Sequence, residues 1–499
     1  MRQYNAQMSP LPAGIYTAAQ VRELDRSAIE RCGIPGYELM TRAGHATSNA
    51  LRQAWPDART LCVFCGPGNN GGDGYVVARI ARAQGAQVHV VAVTDPAGLR
   101  GDARRAFDDF VAAGGACEEW HPHAVRLADV IVDAMFGTGL ARALDGRAAE
   151  IVHAINASNR RVVAIDIPSG LNADTGEVLG VATRADLTVT FVGRKLGFYL
   201  GAGPDTVGRV VFDDLGVPPT TYAEMPRACH RLDESIVQCA LPPRARTAHK
   251  GRHGHVLVVG GAAGMGGAAR LTGEAALRVG AGLVTVAAHP QSLAAMQGRP
   301  ELMTVGLAAS ADLEPAIERA TVLALGPGLG QSPWAMGIFG AVLAARKPTV
   351  VDADALNLLA LNPQRRDHWI LTPHPGEAAR LLGGTVADVQ RDRLAAVAEL
   401  QSRYGGVVVL KGAGSLVQTP AEGAWLCDRG NPGMASAGMG DVLTGVVAGI
   451  AGQCGDLALA ARAGVFVHAE AGDRAARAGE RGLLASDVIE KLRVGVNRP

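Results

Sequence analysis

Short β-rich runs separated by helical segments recur in two blocks, and this alternation constrains the fold more than any other feature. The first block holds "TLCVFCG" (60–66), "AQVHVVAV" (86–93), "ADVIVDAM" (128–135), "RVVAIDIP" (161–168) and "LTVTFVG" (187–193). Between them stand helix-like stretches such as "GYVVARIARAQG" (74–85) and "RAAEIVHAINAS" (147–158). Strands that alternate with helices pair in parallel through right-handed crossovers. Ahead of the block, "TAAQVRELDRSAIERCG" reads as a helix with Thr17 as N-cap and Gly33 as stop. From 217 to 253 prolines and basic residues break the pattern, in "VPPTTYAEMPRACH" and "LPPRARTAHKGRHG". The alternation then restarts with "HVLVVGG" (255–261), "AGLVTVAA" (281–288), "ATVLALG" (320–326), "PTVVDADAL" (348–356), "HWILTPHP" (368–375) and "GVVVLKG" (406–412). A helix-rich segment runs from 441 onward. At 499 residues the chain exceeds what one core supports. The expectation is α/β throughout, in two domains, 1–225 and 226–499, each a doubly wound sheet. Ligands of such sheets bind beyond the carboxyl ends of the strands.

Composition narrows the partners. A net charge of +1 gives no electrostatic support for nucleic acid or an acidic membrane surface. No apolar window is long enough for a membrane span, and "MRQYNAQMSPLPAG" at the start lacks the apolar core of a signal peptide. A cytoplasmic protein is expected, associating into a homo-oligomer through exposed helices. Of the eight cysteines, only Cys62 and Cys65 are close in sequence. They lie three apart in a buried strand and so point to opposite faces, which argues for buried thiols rather than a metal pair.

In the second block each strand end carries glycine or a small polar group. These are "VVGGAAGMGGAA" (258–269), "GPGLG" (326–330), "DADALN" (352–357), "TPHPGE" (372–377) and "KGAGS" (411–415). Backbone N–H groups exposed at such turns cradle phosphates without cationic side chains. "NPGMASAGMGD" (431–441) then leads into an apolar helix starting near its last residue. Gly438 and Gly440 let the backbone approach a ligand, and the first N–H groups of the helix have no internal partner. Those groups can hold phosphoryl oxygens, while Asp441 takes the proton of an attacking hydroxyl. A plain N-cap is the alternative role for Asp441.

These motifs resemble ribokinase-like small-molecule kinases and, along nearly the whole second half, the NAD(P)HX dehydratase domain. The quoted stretches extend to "GAAGMGGAARLTGEAALRVGAGLVTVA", "LTPHPGEAARLL" and "GNPGMASAGMGDVLTGVVAGI". The resemblance implies a ribokinase-like three-layer sandwich that phosphorylates the C6 hydroxyl of hydrated NADH or NADPH and then eliminates phosphate. It implies ADP as donor, giving AMP and phosphate, or ATP instead, with Mg2+. It makes Asp441 the base on the substrate hydroxyl. Lys411, Gly412, Ala413, Gly414, Ser415 and Gly440 would contact the nucleotide; Ala268, Gly328 and His374 would contact hydrated NAD(P)H. Read from the residues alone, His374 is equally a helix-start residue bonded to backbone.

In the first block "CGPGNNGGDGYVVAR" (65–79) is a glycine-rich turn but not GxGxxG. Asn69, Asn70 and Asp73 add oxygens that suit a hard cation of low charge. "DAMFGTGL" (133–140), "DIPSGLNADTG" (166–176) and "VGRKLGFYL" (192–200) join it at strand ends. With "GIPGYELMTRAG" (33–44), these motifs resemble the NAD(P)HX epimerase domain over residues 15 to 215. That resemblance implies a Rossmann-like three-layer sandwich interconverting the R and S forms of hydrated NAD(P)H. Its substrate loops would be Asn69, Asn70, Gly71, Gly72 and Asp73, then Gly137, Thr138, Gly139, Leu140, Ala141, Arg142 and Ala143, with Asp166 also on the substrate. Potassium would be held by Asn70, Asp133 and Ser169. Epimerisation at C6 needs an acid/base, for which Asp166 is the candidate and Lys195 its partner. Two other readings are a vitamin-alcohol kinase with a regulatory first half, and a non-catalytic dinucleotide sensor.

Overall fold

A computed structural model describes residues 14–497, so the leading segment read for a signal peptide lies largely outside the described residues. The chain divides into Met1–Cys229 and His230–Pro499, whereas the composition break places the division at 225/226.

In the first unit, β1 (Gly14–Tyr16) pairs in parallel with β8 (Arg194–Lys195). The main sheet comprises β2 (Thr60–Cys65), β3 (Gln87–Ala92), β4 (Cys117–Glu118), β5 (Val130–Ala134), β6 (Arg161–Ile165), β7 (Leu187–Phe191) and β9 (Arg209–Asp213). Their order is β4-β3-β2-β5-β6-β7-β9, and every pairing is parallel. Helices α1 (Ala18–Glu30), α2 (Gly36–Ala54), α3 (Asn69–Ala83), α4 (Gly101–Ala112) and α5 (Gly146–Ala157) belong to this unit. Val63 and Cys65 pack with α2, α3 and α4 in one core. Cys62 and Phe64 pack with Ile151 and Val152 of α5 in another. The two cysteines therefore lie on opposite faces of β2, and all eight are free thiols. Thr17 caps α1 in a capping box with Gln20, and the helix ends at Glu30 with Arg31 as its C-cap, two residues before Gly33. The run "RVVFD" and the short "CE" are strands whose few residues carry no clear periodic signal.

The second unit has β10 (Cys229–Arg231), β11 (His255–Val259), β12 (Leu283–Ala288), β13 (Met303–Gly306), β14 (Val322–Leu325), β15 (Thr349–Val351), β16 (Trp369–Leu371), β17 (Val407–Leu410), β18 (Ser415–Thr419) and β19 (Gly423–Cys427). The order is β13-β12-β11-β14-β15-β16-β17-β18-β19-β10. From β13 to β17 all pairings are parallel, and β17-β18-β19 is antiparallel. "PTVVDADAL" is strand only to Val351, because Asp352 turns the chain into α8. The longer helices are α6 (Gly266–Arg278), α7 (Pro333–Ala344), α8 (Ala353–Leu361), α9 (Pro375–Leu382), α10 (Arg393–Tyr404), α11 (Met439–Cys454), α12 (Leu457–Ala475) and α13 (Ala485–Val496). Val256 and Val258 pack with α6, α11 and α12, while Leu257 and Val259 are equally buried. A strand covered on both faces explains the unbroken apolar run "HVLVV".

In both units the sequence order reverses at one point, between β2 and β5 and between β11 and β14. Crevices form at such switch points. The glycine-rich turns after β2 and β11 lie there.

Candidate active sites

The second-unit site is built around the start of α11. Gly438, at φ +87°, is the N-cap, and no side chain caps the helix. Asp441 thus occupies the third helical position, two residues inside the expected start, and is not the cap. Its carbonyl accepts from Thr272 Oγ1 of α6 at 3.0 Å. The two helices meet closely because Gly445 faces Thr272: a Cβ there would lie 2.1 Å from the Thr272 carbonyl oxygen.

Opposite Asp441 stands a buried charge network. Lys411 Nζ donates to Asp352 Oδ1 at 2.6 Å and lies 3.6 Å from Glu377 Oε2. Thr444 Oγ1, one turn along α11, donates to Asp352 Oδ2 at 2.8 Å. A Cβ on Gly440 would sit 3.4 Å from Lys411 Nζ, so glycine keeps this space open. Burial and the Asp352 carboxylate raise the Asp441 carboxyl to about 6, against the opposing pull of Lys411. Burial likewise raises Glu377 to about 7, with Lys411 opposing. For Lys411, burial pulls downward, but Asp352 and Glu377 outweigh it and hold the ammonium above its ordinary value.

His374 is the N-cap of α9 in a reciprocal box with Glu377. Its Nδ1 accepts from the Gly376 N–H at 2.9 Å, which leaves the proton on Nε2. The helix-start role is therefore present, and the ring remains 55% exposed, open to a ligand as well. Gly328, at φ +60°, lies against Ala268, 3.2 Å from its Cβ to the Cβ that Gly328 lacks. The turn from Lys411 to Ser415 joins β17 to β18. Ser415 Oγ closes it by donating to the Gly412 carbonyl at 2.8 Å. Ala413 and Gly414 form its tip, and Arg393 supports it from below by donating to the carbonyls of Leu410 and Lys411, both at 3.3 Å. Burial lowers the Arg393 guanidinium to about 10. Arg393, Asp352, Thr444 and Glu377 carry no role in the motif reading, although Asp352, Glu377 and Thr444 stand inside quoted motifs.

The first-unit site has two halves. In one, α3 begins at Asn69, so Asn70, Gly71, Gly72 and Asp73 lie in its first turns rather than in a preceding loop. The glycines are steric requirements: a Cβ on Gly71 would lie 2.0 Å from the Gly66 carbonyl oxygen. Asn70 is buried, and neither its Oδ1 nor its Nδ2 has a partner. Gly137 faces it, with its missing Cβ 3.7 Å from Asn70 Oδ1. Asp133 is fully buried and accepts from Ser169 Oγ at 2.6 Å and Ser169 N at 2.8 Å. Burial raises its carboxyl, and the Ser169 hydrogen bonds oppose this. Gly137 opens a surface loop in which Gly139, Ala141, Arg142 and Ala143 are exposed. Within it the Thr138 carbonyl accepts from Arg22 at 3.3 Å, and Leu140 packs on the core beneath.

In the other half Asp166, held at φ +65°, forms an ion pair with Lys195. Lys195 is fully buried and also donates to Thr190 Oγ1 at 2.7 Å. A positive φ is uncommon for a residue with a side chain, and Asp is among those that adopt it most readily. Asp73 and Asp25 share the field of this pair. Burial, then Asp166 and Asp25, push the Asp73 carboxyl well above its ordinary value. Burial raises Asp25 to about 6 against the attraction of Lys195. Asp25 lies on α1, in a polar stretch of a helix with no motif to single it out.

Two sites at the carboxyl ends of strands in two doubly wound sheets, one with a helix start beside a carboxylate and a lysine, define a nucleotide-handling enzyme with a ribokinase-like unit. The family profile described as NAD(P)H-hydrate dehydratase matches residues 256–493, and that described as YjeF-related protein N-terminus matches residues 36–197. The chain belongs to the family of bifunctional NAD(P)H-hydrate repair enzymes. It is 47% identical to the Nnr enzyme of that description from Coxiella burnetii, over 97% of this chain and 99% of the relative. It is 43% identical to the Escherichia coli K12 enzyme, over 98% and 95%. Among solved structures, a ribokinase-like superfamily protein from Enterococcus faecalis V583 matches at TM-score 0.51 and 28% identity, over 54% of this chain and 95% of that one.

Proposed function

We propose that this chain repairs hydrated NADH and NADPH in two steps. The first unit interconverts the R and S forms. The second dehydrates the S form to NAD(P)H at the expense of ADP, releasing AMP and phosphate. The observation that carries the second step is Asp441 itself: a half-buried carboxylate in the first turn of α11, not spent on capping and facing Lys411.

In the second unit the C6 hydroxyl of the substrate sits against Asp441, with Ala268, Gly328 and His374 around the nicotinamide portion. The nucleotide lies on the turn from Lys411 to Ser415 and on Gly440. As the hydroxyl attacks the terminal phosphorus, Asp441 takes its proton. Charge growing on the phosphoryl oxygens meets the unpaired N–H groups of α11 and the Lys411 ammonium. The C6 phosphate ester so formed then breaks at its C6–O bond, phosphate leaving with the electron pair, and loss of the proton on the adjacent ring carbon restores the double bond. Among the described residues no cluster of three or more His, Cys, Asp or Glu could hold a metal. Mg2+ carried on the nucleotide phosphates would neutralise oxygen charge there.

In the first unit the Asp166–Lys195 pair serves as acid/base at C6, with Asn69 to Asp73 and Gly137 to Ala143 holding the dinucleotide. The unpartnered Asn70 amide beside buried Asp133 and Ser169 supplies oxygens of the kind a potassium ion takes. A bound potassium would offset the Asp133 charge and tie the loop after β5 to the start of α3.

The test follows reduced-nicotinamide absorbance after mixing the full chain with both epimers of hydrated NADH, potassium, Mg2+ and ADP. Full recovery is expected. Recovery that stops when the S form is spent would remove the epimerase assignment. Silence with ADP and with ATP would remove the dehydratase assignment and favour a kinase of another alcohol.

A further inference from the structure

The second unit contains a cavity of about 1260 Å³ away from Asp441. Gln453, in the last turn of α11, and Arg278, the last residue of α6, line it. Both helices carry site residues in their first turns. Over the 16 residues of α11, the two ends lie about 24 Å apart at 1.5 Å per residue. The cavity is thus a separate place, at the far end of the helices that frame the site.

Its lining is one-signed. Arg244, Arg252, His253, Arg278 and Arg493 face it, and among the described residues no Asp or Glu does. In a chain of net charge +1 this concentration is local. Arg278 and Arg493 sit in the last turns of α6 and α13, where cations complement helix dipoles. That does not account for Arg244, Arg252 and His253, which lie on the segment linking the blocks. Arg244 donates to the Gly280 carbonyl at 2.5 Å and to Gln453 Oε1 at 2.7 Å. No described ion pair involves any of the four arginines. Burial, then Arg244, His249 and Arg252, hold the His253 imidazole below its ordinary value, as expected of a base crowded by cations. Val237, Leu277 and Val496 add apolar wall. The volume exceeds what an inorganic phosphate fills and suits an anion with a ring system.

We propose that this bay is a second ligand site, binding a multiply phosphorylated nucleotide through its arginines and seating the base on the apolar wall. The drive is relief of like-charge crowding by a polyanion.

The test is hydrogen exchange on the full chain with ATP and Mg2+, and separately with tripolyphosphate. ATP is expected to slow exchange in 241–253 as well as in 411–415. Tripolyphosphate doing the same would assign the contact to the phosphate chain; ATP alone doing so would assign part of it to the base. In the Arg252→Gln/Arg278→Gln/Arg493→Gln variant, protection of 241–253 should disappear while protection of 411–415 and dehydration persist. Single Arg252→Gln should weaken the same protection, should the triple variant not fold. Unchanged exchange in 241–253 at ATP concentrations that fully protect 411–415 would overturn the proposal. Loss of protection at 411–415 alone would count against the dehydratase nucleotide site and not against this one.

Discussion

Replacing Asp441 by Asn removes the proposed base and little else. The side chain keeps its size, Gly438 remains the cap, and the hydrogen bond to Thr272 uses the Asp441 backbone. Folding is expected to change by less than about 1 kcal/mol, the scale of an acidic residue at a helix start. A positioned base contributes about 10²–10⁴-fold, so kcat for dehydration should fall by that factor, or about 3–5 kcal/mol at 1.36 kcal/mol per tenfold. The pH profile carries a second, independent signature. With the carboxyl at about 6, the base is about nine-tenths ionised at pH 7 and about one-tenth at pH 5. Wild-type dehydration should therefore drop roughly tenfold between those values, and the Asp441→Asn variant should lose this limb. The assay is absorbance recovery from pure S-form substrate with ADP, with conversion of the R form measured separately as a control that should not move. An Asp441→Asn chain that keeps a third of wild-type dehydration, or that retains the same acid limb, would refute the assignment.

Three further outcomes are expected. Lys195→Met strips Asp166 of its buried counter-ion; it should abolish R-to-S conversion, leave dehydration of the S form intact, and destabilise the first unit by about 3–5 kcal/mol, read as a lowered melting transition. Asn70→Ala should slow epimerisation and flatten its dependence on potassium when choline replaces it at constant ionic strength; an unchanged potassium titration would exclude this amide as a ligand. Gly445→Ala would push a methyl to 2.1 Å from the Thr272 carbonyl oxygen; separating α6 from α11 should cost about 1–3 kcal/mol and reduce dehydration, whereas a wild-type melting profile would show that the helices have slack.

Much of this protein is legible in one dimension, for local reasons. Parallel strands buried on both faces leave continuous apolar runs such as "HVLVV", and sharp turns at their ends demand glycine. Both the two-block α/β organisation and the turns that line each crevice follow from that. Asp441 stands out because it is the one carboxylate in the glycine-rich stretch 431–441. Less regular pieces are hidden: β4 and β9 are too short or too mixed for periodicity, and the hairpin β18–β19 reverses a sheet that alternation alone reads as parallel.

What tertiary structure decided is which distant residues share a field. Lys411, Asp352, Glu377 and Thr444 come from four strand ends and helices, and meet because β15, β16 and β17 are neighbours in the sheet. Asp25, Asp73 and Asp166 converge on Lys195 from α1, α3 and the end of β6, 170 residues of chain folded onto one lysine. Strand order and helix packing are set by burying whole faces, a global balance that no short motif encodes. Backbone turns and residue types belong to the sequence; the neighbours that tune a carboxylate belong to the fold, because electrostatic interaction depends on distance in space and not along the chain.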